Sequence, residues 1–305
     1  MKKRLIVLTT SLLFASLVLS SCQNTPTNPG KKSIVVTYSI LGSVVKELIG
    51  DQARVTVSIP NGLDPHEWEP SAKDIEAVNK ADLVIQNGLG LEGGMQKTLA
   101  QAQANGVKFF TASDYITVRH VGPGEGVPSG DPDQVLGAAD PHLWTDPLAM
   151  QSIVAALADF LKNNLEINVD AQAQDLQSRL DSLNQQVMTM VDTLPQDSRK
   201  LVTGHESMGY FAQRYGFKLI GAIIPSLSDQ ADVSAADLAV LKQEILDNHV
   251  KAIFAELGTS PAVAKAIADE TGARVVELST HSLPGDGSYF TFELNLATVI
   301  VTALK

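Results

Sequence analysis

The stretch Ala171-Gln-Ala-Gln-Asp-Leu-Gln-Ser-Arg-Leu180-Asp-Ser-Leu-Asn-Gln-Gln-Val-Met-Thr-Met190-Val-Asp-Thr-Leu194 carries apolar residues at Leu176, Leu180, Leu183, Val187 and Val191. That spacing of three or four, sustained over more than twenty residues with no glycine or proline, predicts one long amphipathic helix. Its surroundings give it a role. On its N-terminal side, strand patterns at 33–38, 55–59, 82–86 and 107–111 alternate with helical patterns at 40–49, 72–79 and 92–104, and a further helix is expected at 147–163. On its C-terminal side the alternation resumes: strands at 200–203, 218–224, 252–255 and 274–278, helices at 208–215, 235–248 and 262–271, and a last helix from about Phe292. Alternation of this kind indicates parallel sheets with helices on their faces. The expected fold class is therefore α/β: two lobes, each with a mainly parallel sheet flanked by helices, joined by one long rigid helix. The expected boundaries are 33–168 for the first lobe, 169–195 for the connecting helix and 196–305 for the second lobe.

The residues ahead of the first strand read differently. Lys2, Lys3 and Arg4 precede the apolar run Leu5 to Leu19, which Leu19-Ser20-Ser21-Cys22 closes, so residues 1–22 read as a lipoprotein signal peptide. Cys22 is the only cysteine in the sequence, which rules out an intramolecular disulfide and marks it as the expected site of lipidation. Residues 23–32, with two prolines, a glycine and no large apolar side chain, read as a flexible tether. With 23 basic against 34 acidic residues the net charge is −11, which argues against a nucleic-acid partner and mildly favours cations.

One phrase occurs twice, as Asp64-Pro65-His66-Glu67-Trp68 and Asp140-Pro141-His142-Leu143-Trp144, and these hold the only two tryptophans. Proline stiffens each loop, and the tryptophan is placed to wall the histidine off from water. Helix-start signals follow both: Ser71 with Asp74 after the first, Asp146 with Pro147 after the second. His205, in Thr203-Gly204-His205-Glu206-Ser207, stands after a strand and before a helix, as His66 does. A fourth candidate is Asp286 in the turn Pro284-Gly285-Asp286-Gly287. Three imidazoles and a carboxylate suit zinc or another borderline divalent ion, and ligands drawn from both halves would bridge the lobes. Glu67, Glu206 and His281 stand close to these residues in sequence, as outer partners or alternative ligands. His120 and His249 read as surface residues, and 121–137 as a solvated loop.

Taken together, Thr37-Tyr38-Ser39-Ile40, Pro65-His66-Glu67-Trp68-Glu69-Pro70-Ser71, Asp140-Pro141-His142-Leu143-Trp144, Gly204-His205-Glu206-Ser207-Met208-Gly209-Tyr210-Phe211 and Gly285-Asp286-Gly287-Ser288-Tyr289-Phe290 resemble the cluster A-I metal-binding lipoproteins. These are solute receptors of bacterial ABC importers for zinc and manganese. The resemblance implies two lobes with limited relative motion and a metal between them on His66, His142, His205 and Asp286. It also implies a monomer, an ABC permease as partner, a lipid anchor in a bacterial membrane at the periplasm or cell surface, and no catalytic cycle. Histidine at the third ligand position, where many manganese receptors of the family carry glutamate, points to zinc, with manganese as the alternative. The histidine-rich loop of many zinc receptors has no counterpart here, since 121–137 holds no histidine. Two readings from other classes stand beside this one: a zinc hydrolase with Glu67 or Glu206 as general base, and a surface adhesin.

Overall fold

The computed structural model describes residues 30–123, 125 and 136–305, and residues 32–305 form one compact unit. The expected signal peptide, Cys22, most of the tether and most of the 121–137 loop lie outside the described residues. Among the described residues no helix is long and apolar enough to cross a membrane.

The first sheet has four parallel strands, β1 (Ser33–Tyr38), β2 (Arg54–Ile59), β3 (Leu83–Gln86) and β4 (Lys108–Thr111), in the order β2-β1-β3-β4. β1 is central, and every residue from Ile34 to Tyr38 is buried, as expected of a strand covered on both faces. Helices α1 (Ser39–Ile49), α2 (Ala72–Asn79) and α3 (Gln96–Ala104) supply the crossovers. The start of α2 is the expected capping box, in which Ser71 Oγ accepts from Asp74 N–H and the Asp74 carboxylate accepts from Ser71 N–H. α4 (Pro147–Leu165) starts as expected, with the Asp146 side chain accepting from Leu148 N–H and proline in the first turn.

The long amphipathic stretch forms α5 (Asp170–Val191), and its buried residues include Leu176, Leu180, Leu183, Val187 and Val191. Beyond it lie β5 (Lys200–Thr203), α6 (Gly209–Tyr215), β6 (Lys218–Ala222), α7 (Ala235–Asp247), β7 (Ala252–Ala255), α8 (Pro261–Thr271), β8 (Arg274–Glu277) and α9 (Tyr289–Leu304). β5 pairs with β6 and β7 with β8, all parallel, and β5 runs alongside β7. The period of two sorts these strands between two cores. Leu201, Ala252 and Phe254 join the large core shared with the first lobe, whereas Val202 and Ile253 face a smaller core with Ile220, Leu241, Ile245 and Ile267. The shared core contains α5 and α9 together with residues of β1, β3, β4, β5 and β7, so one apolar core joins the two halves. Arg179 of α5 adds to this, its guanidinium lying 4.3 Å over the Phe290 ring while it pairs with Glu47 of α1.

Several element boundaries differ from expectation; α3 starts at Gln96 rather than 92, after a short turn at Gly93–Met95. The register of β5 against β6 shifts at Leu201/Val202, so Ile223 and Ile224, expected within the strand, bond to Thr203 O and Gly204 O outside the regular ladder. α9 starts at Tyr289 rather than near Phe292, because Ser288 Oγ accepts from Thr291 N–H and ends the preceding turn early.

Candidate metal centre

Four histidines from four separate segments meet in one cluster. His66 follows β2, His205 follows β5, His281 follows β8, and His142 precedes α4, so three of the four stand beyond the carboxyl end of a parallel strand. One ring nitrogen from each lies within 4.8 Å of all the others. His142 Nε2 is 3.3 Å from His66 Nε2 and 3.2 Å from His205 Nε2. Four nitrogens held about 2.0–2.1 Å from a central zinc in a tetrahedron would be about 3.3 Å apart, so these spacings match that geometry.

Of the residues expected from sequence, His66, His142 and His205 are brought together, and Asp286 is not. Its carboxylate accepts from Ser288 N–H at 3.0 Å and from Thr291 Oγ1 at 2.7 Å, and these bonds hold its pKa below the ordinary value. The residue is exposed. The orphan donors at the start of α9 have taken the charge that the sequence reading assigned to a metal. The fourth member of the cluster is His281, which the sequence reading places as an outer partner or alternative ligand. The signal that could have found it is its position four residues past β8, matching that of His205 two residues past β5. Glu67 is on the surface, accepting from Gln230. Glu206 is buried and its N–H donates to Ser226 O at 2.9 Å, but it is not in the cluster.

Each ring is set by its surroundings. Asp140 Oδ1 accepts from both His142 N–H, at 3.0 Å, and the ring Nδ1, at 2.9 Å. That puts the proton on Nδ1 and the lone pair on Nε2, toward the other rings. Asp140 is itself held by Arg119 Nη1 at 3.1 Å, and Arg119 also pairs with Glu125. Gly209 makes room for this pair, since a Cβ there would lie 2.2 Å from Asp140 Oδ2 and 2.4 Å from Arg119 Nη1. Trp144 is fully buried, donates from Nε1 to Thr280 O at 2.9 Å, and sets its ring edge-on to both His142 and His281. Tyr210 Oη donates to Asp140 O at 3.2 Å and Arg214 grips Asp146 at 2.9 and 2.6 Å, tying α6 to this segment.

Beside His205 lies Glu256, whose Oε2 is 3.0 Å from Nδ1 though off the line of the ring N–H, so the contact is an ion pair rather than an aligned hydrogen bond. Glu256 also accepts from Ser207 Oγ and Thr280 Oγ1. It went unnoticed in the sequence because Ala255-Glu256-Leu257-Gly258 looks like an ordinary strand end.

Burial, followed by the neighbouring imidazoles, pushes the pKa of His66 and His281 well below the ordinary histidine value. Burial also lowers His142, although Asp140 opposes it. His205 differs: burial presses its pKa down, but Glu256, with Asp229 and Asp64, outweighs that and raises it. Burial thus favours the neutral form of three rings, while the neighbouring carboxylates favour the charged form of the fourth. At the lip of the cluster Asp64 is pushed up to about 8, first by burial and then by the carboxyl of Asp229. A cleft lined by Gly90, Gly93, Pro141, Leu227 and Gln230 opens onto His66.

The family model for the periplasmic zinc-uptake complex component A, ZnuA, matches residues 34–303. The zinc-binding lipoprotein AdcA of Streptococcus pneumoniae is 32% identical over 279 residues, which is 87% of this chain and 53% of that protein, so the chain spans about half the length of this relative. The manganese-binding lipoprotein MntA of Halalkalibacterium halodurans is 28% identical over 264 residues, covering 84% of this chain and 81% of that one. A crystal structure of ZnuA superimposes with a TM-score of 0.73 at 26% identity, covering 90% of this chain and all of the other. The chain belongs to the ZnuA family of solute-binding proteins.

Proposed function

For a member of this family, we propose that the chain is the extracytoplasmic receptor of an ABC importer, capturing zinc on His66, His142, His205 and His281 and handing it to a permease. The observation that carries the reading is the convergence of four imidazoles in a buried pocket, their cluster nitrogens within 4.8 Å of one another and two of the pairs 3.2 and 3.3 Å apart, with each of the three best-held rings backed by an oxygen partner. Two relatives differ in the metal of their names, zinc for AdcA and manganese for MntA. An all-imidazole set favours zinc, because manganese prefers oxygen ligands. Capture rather than catalysis follows from the same count: four protein ligands fill a tetrahedral zinc and leave no position for a reactive water. The lipid anchor at Cys22 and action as a monomer belong to this proposal as well.

Elemental analysis of the purified protein, with zinc and manganese titrations of the wild type and of His281→Asp, tests it. Wild type should bind one zinc and prefer it to manganese, and the added carboxylate should narrow that preference. Equal affinity for both ions in the wild type, or preference unchanged by the substitution, would contradict the assignment.

A further inference from the structure

The four rings differ in how their tautomers are set. Asp140 accepts from the ring of His142, and Glu256 lies against His205, so each of these has a carboxylate of its own. His281 has none. Its Nδ1 meets only the hydroxyl of Thr280, at 2.9 Å, and a hydroxyl can either donate or accept. Left to itself, that contact would permit both tautomers.

Glu256 removes the ambiguity. Ser207 Oγ approaches its two oxygens at 2.9 and 2.8 Å, Gly204 N–H approaches Oε1 at 3.3 Å, and Thr280 Oγ1 approaches Oε2 at 2.9 Å. A carboxylate ringed by donors has nothing to donate, so the single proton of Thr280 must point at Glu256. The oxygen lone pairs of Thr280 then face His281 Nδ1, and the contact is favourable only when Nδ1 bears the ring proton. His281 Nε2 is left as a bare lone pair, buried and without a hydrogen-bond partner among the described residues, on a ring whose nearest nitrogen lies within 4.8 Å of the other three. The main chain of Thr280 has no freedom to turn away, because its carbonyl accepts from Trp144 Nε1 at 2.9 Å.

We propose that Thr280, oriented by Glu256, is a positioning residue that holds His281 in the Nδ1–H tautomer and so aims its Nε2 at the metal. The same Glu256 faces His205, which makes one buried carboxylate the common support of two rings from different segments. On a ligand set with no charge of its own, Glu256 also supplies negative charge next to the cation. The inference rests on His281 being a ligand, as proposed above.

The test uses the full chain, zinc as the probe in competition with a chromogenic chelator, and 15N NMR of the imidazoles in the metal-free protein. Wild-type His281 should show the proton on Nδ1. Thr280→Val keeps the shape and removes the hydroxyl; it should weaken zinc binding by roughly 10–100-fold, the usual effect of losing an outer partner, and release the tautomer. Thr280→Ser should restore the wild-type tautomer and bring affinity back to within about threefold, by the same reasoning. In a His281→Ala background Thr280→Val should cost little more. The relay is overturned if wild-type His281 carries its proton on Nε2, if Thr280→Val binds zinc like wild type while His281→Ala does not, or if serine fails to rescue. Wild-type affinity in His281→Ala would instead remove the ligand assignment, and the relay with it.

Discussion

The two Asp-Pro-His-x-Trp phrases share a sequence and a local turn but have different mechanical surroundings. In both, the aspartate accepts from the N–H of the histidine two residues on, at 2.7 Å for Asp64 and 3.0 Å for Asp140. There the likeness ends. Asp140 is anchored by Arg119 and bonds the ring of its own histidine; Asp64 instead faces another carboxyl, Asp229, which adds to burial in raising its pKa. Trp144 is fully enclosed between His142 and His281, whereas Trp68 is half-buried and packs against the margin of the core. Glycines at 93 and 94 let backbone press on the first phrase, where a Cβ would lie 2.6 Å from His66 O and 2.3 Å from Trp68 O. The second phrase is therefore the fixed jaw of the site. The first stands at the mouth, held by its main chain, with His66 lining the entry cleft.

This contrast can be broken by experiment. The largest effect is expected from His142→Ala, which removes the ring nearest to two others and should weaken zinc binding by more than the roughly 10–100-fold that loss of an outer partner costs. His66→Ala should cost less and mainly speed dissociation. Stopped-flow release rates and competition titrations read both, and equal losses with equal off-rates would erase the distinction between jaw and mouth. Next comes Asp140→Asn, expected to lower zinc affinity by about 10–100-fold because it disturbs the His142 tautomer, with Asp64→Asn well under that. A larger loss at Asp64 would reverse the ranking.

The pH dependence sharpens the account further. His205 has its pKa raised, so zinc must displace its proton once pH falls below that value, and affinity should drop about tenfold per pH unit there, with about one proton released per zinc. Calorimetry in buffers of different ionisation enthalpy counts the protons; an affinity flat from about pH 7.5 to 5 would contradict histidine ligation. The smallest effect is on stability. Folded Asp64 keeps its proton up to about pH 8, whereas the unfolded chain releases it near the ordinary value of 3.8, so stability contributed here declines as pH rises through that window. Asp64→Asn should flatten this component of the metal-free unfolding curve, and an unchanged slope would show that Asp64 is ionised in the fold.

Much of this architecture was legible in the sequence, for reasons that particular residues illustrate. The stripe Leu176 to Val191 marked α5 because nothing interrupts its period, and Ser71/Asp74 and Asp146/Pro147 marked helix starts because few other residues satisfy those orphan donors. The convergence of His66, His142 and His205 was legible through the doubled phrase and the strand-end rule. The choice between His281 and Asp286 was not, since it depends on how the segment after β8 turns. There Asn61 accepts from Leu283 N–H and donates to Leu283 O, Ser43 Oγ donates to Gly287 O, and Asp286 is drawn to the start of α9. Such long-range backbone contacts leave no period or spacing to read. Glu256 was hidden for a related reason: its partners Gly204, His205, Ser207 and Thr280 are far from it in sequence, and only through Glu256 does Thr280 acquire a fixed orientation toward His281.

The central claim is that four imidazoles, His281 among them, complete the site without Asp286. Zinc titration of His281→Ala and Asp286→Ala in parallel, against a competing chelator, tests it most directly. High-affinity zinc binding should be lost in His281→Ala and kept in Asp286→Ala; loss in Asp286→Ala with retention in His281→Ala would contradict the account.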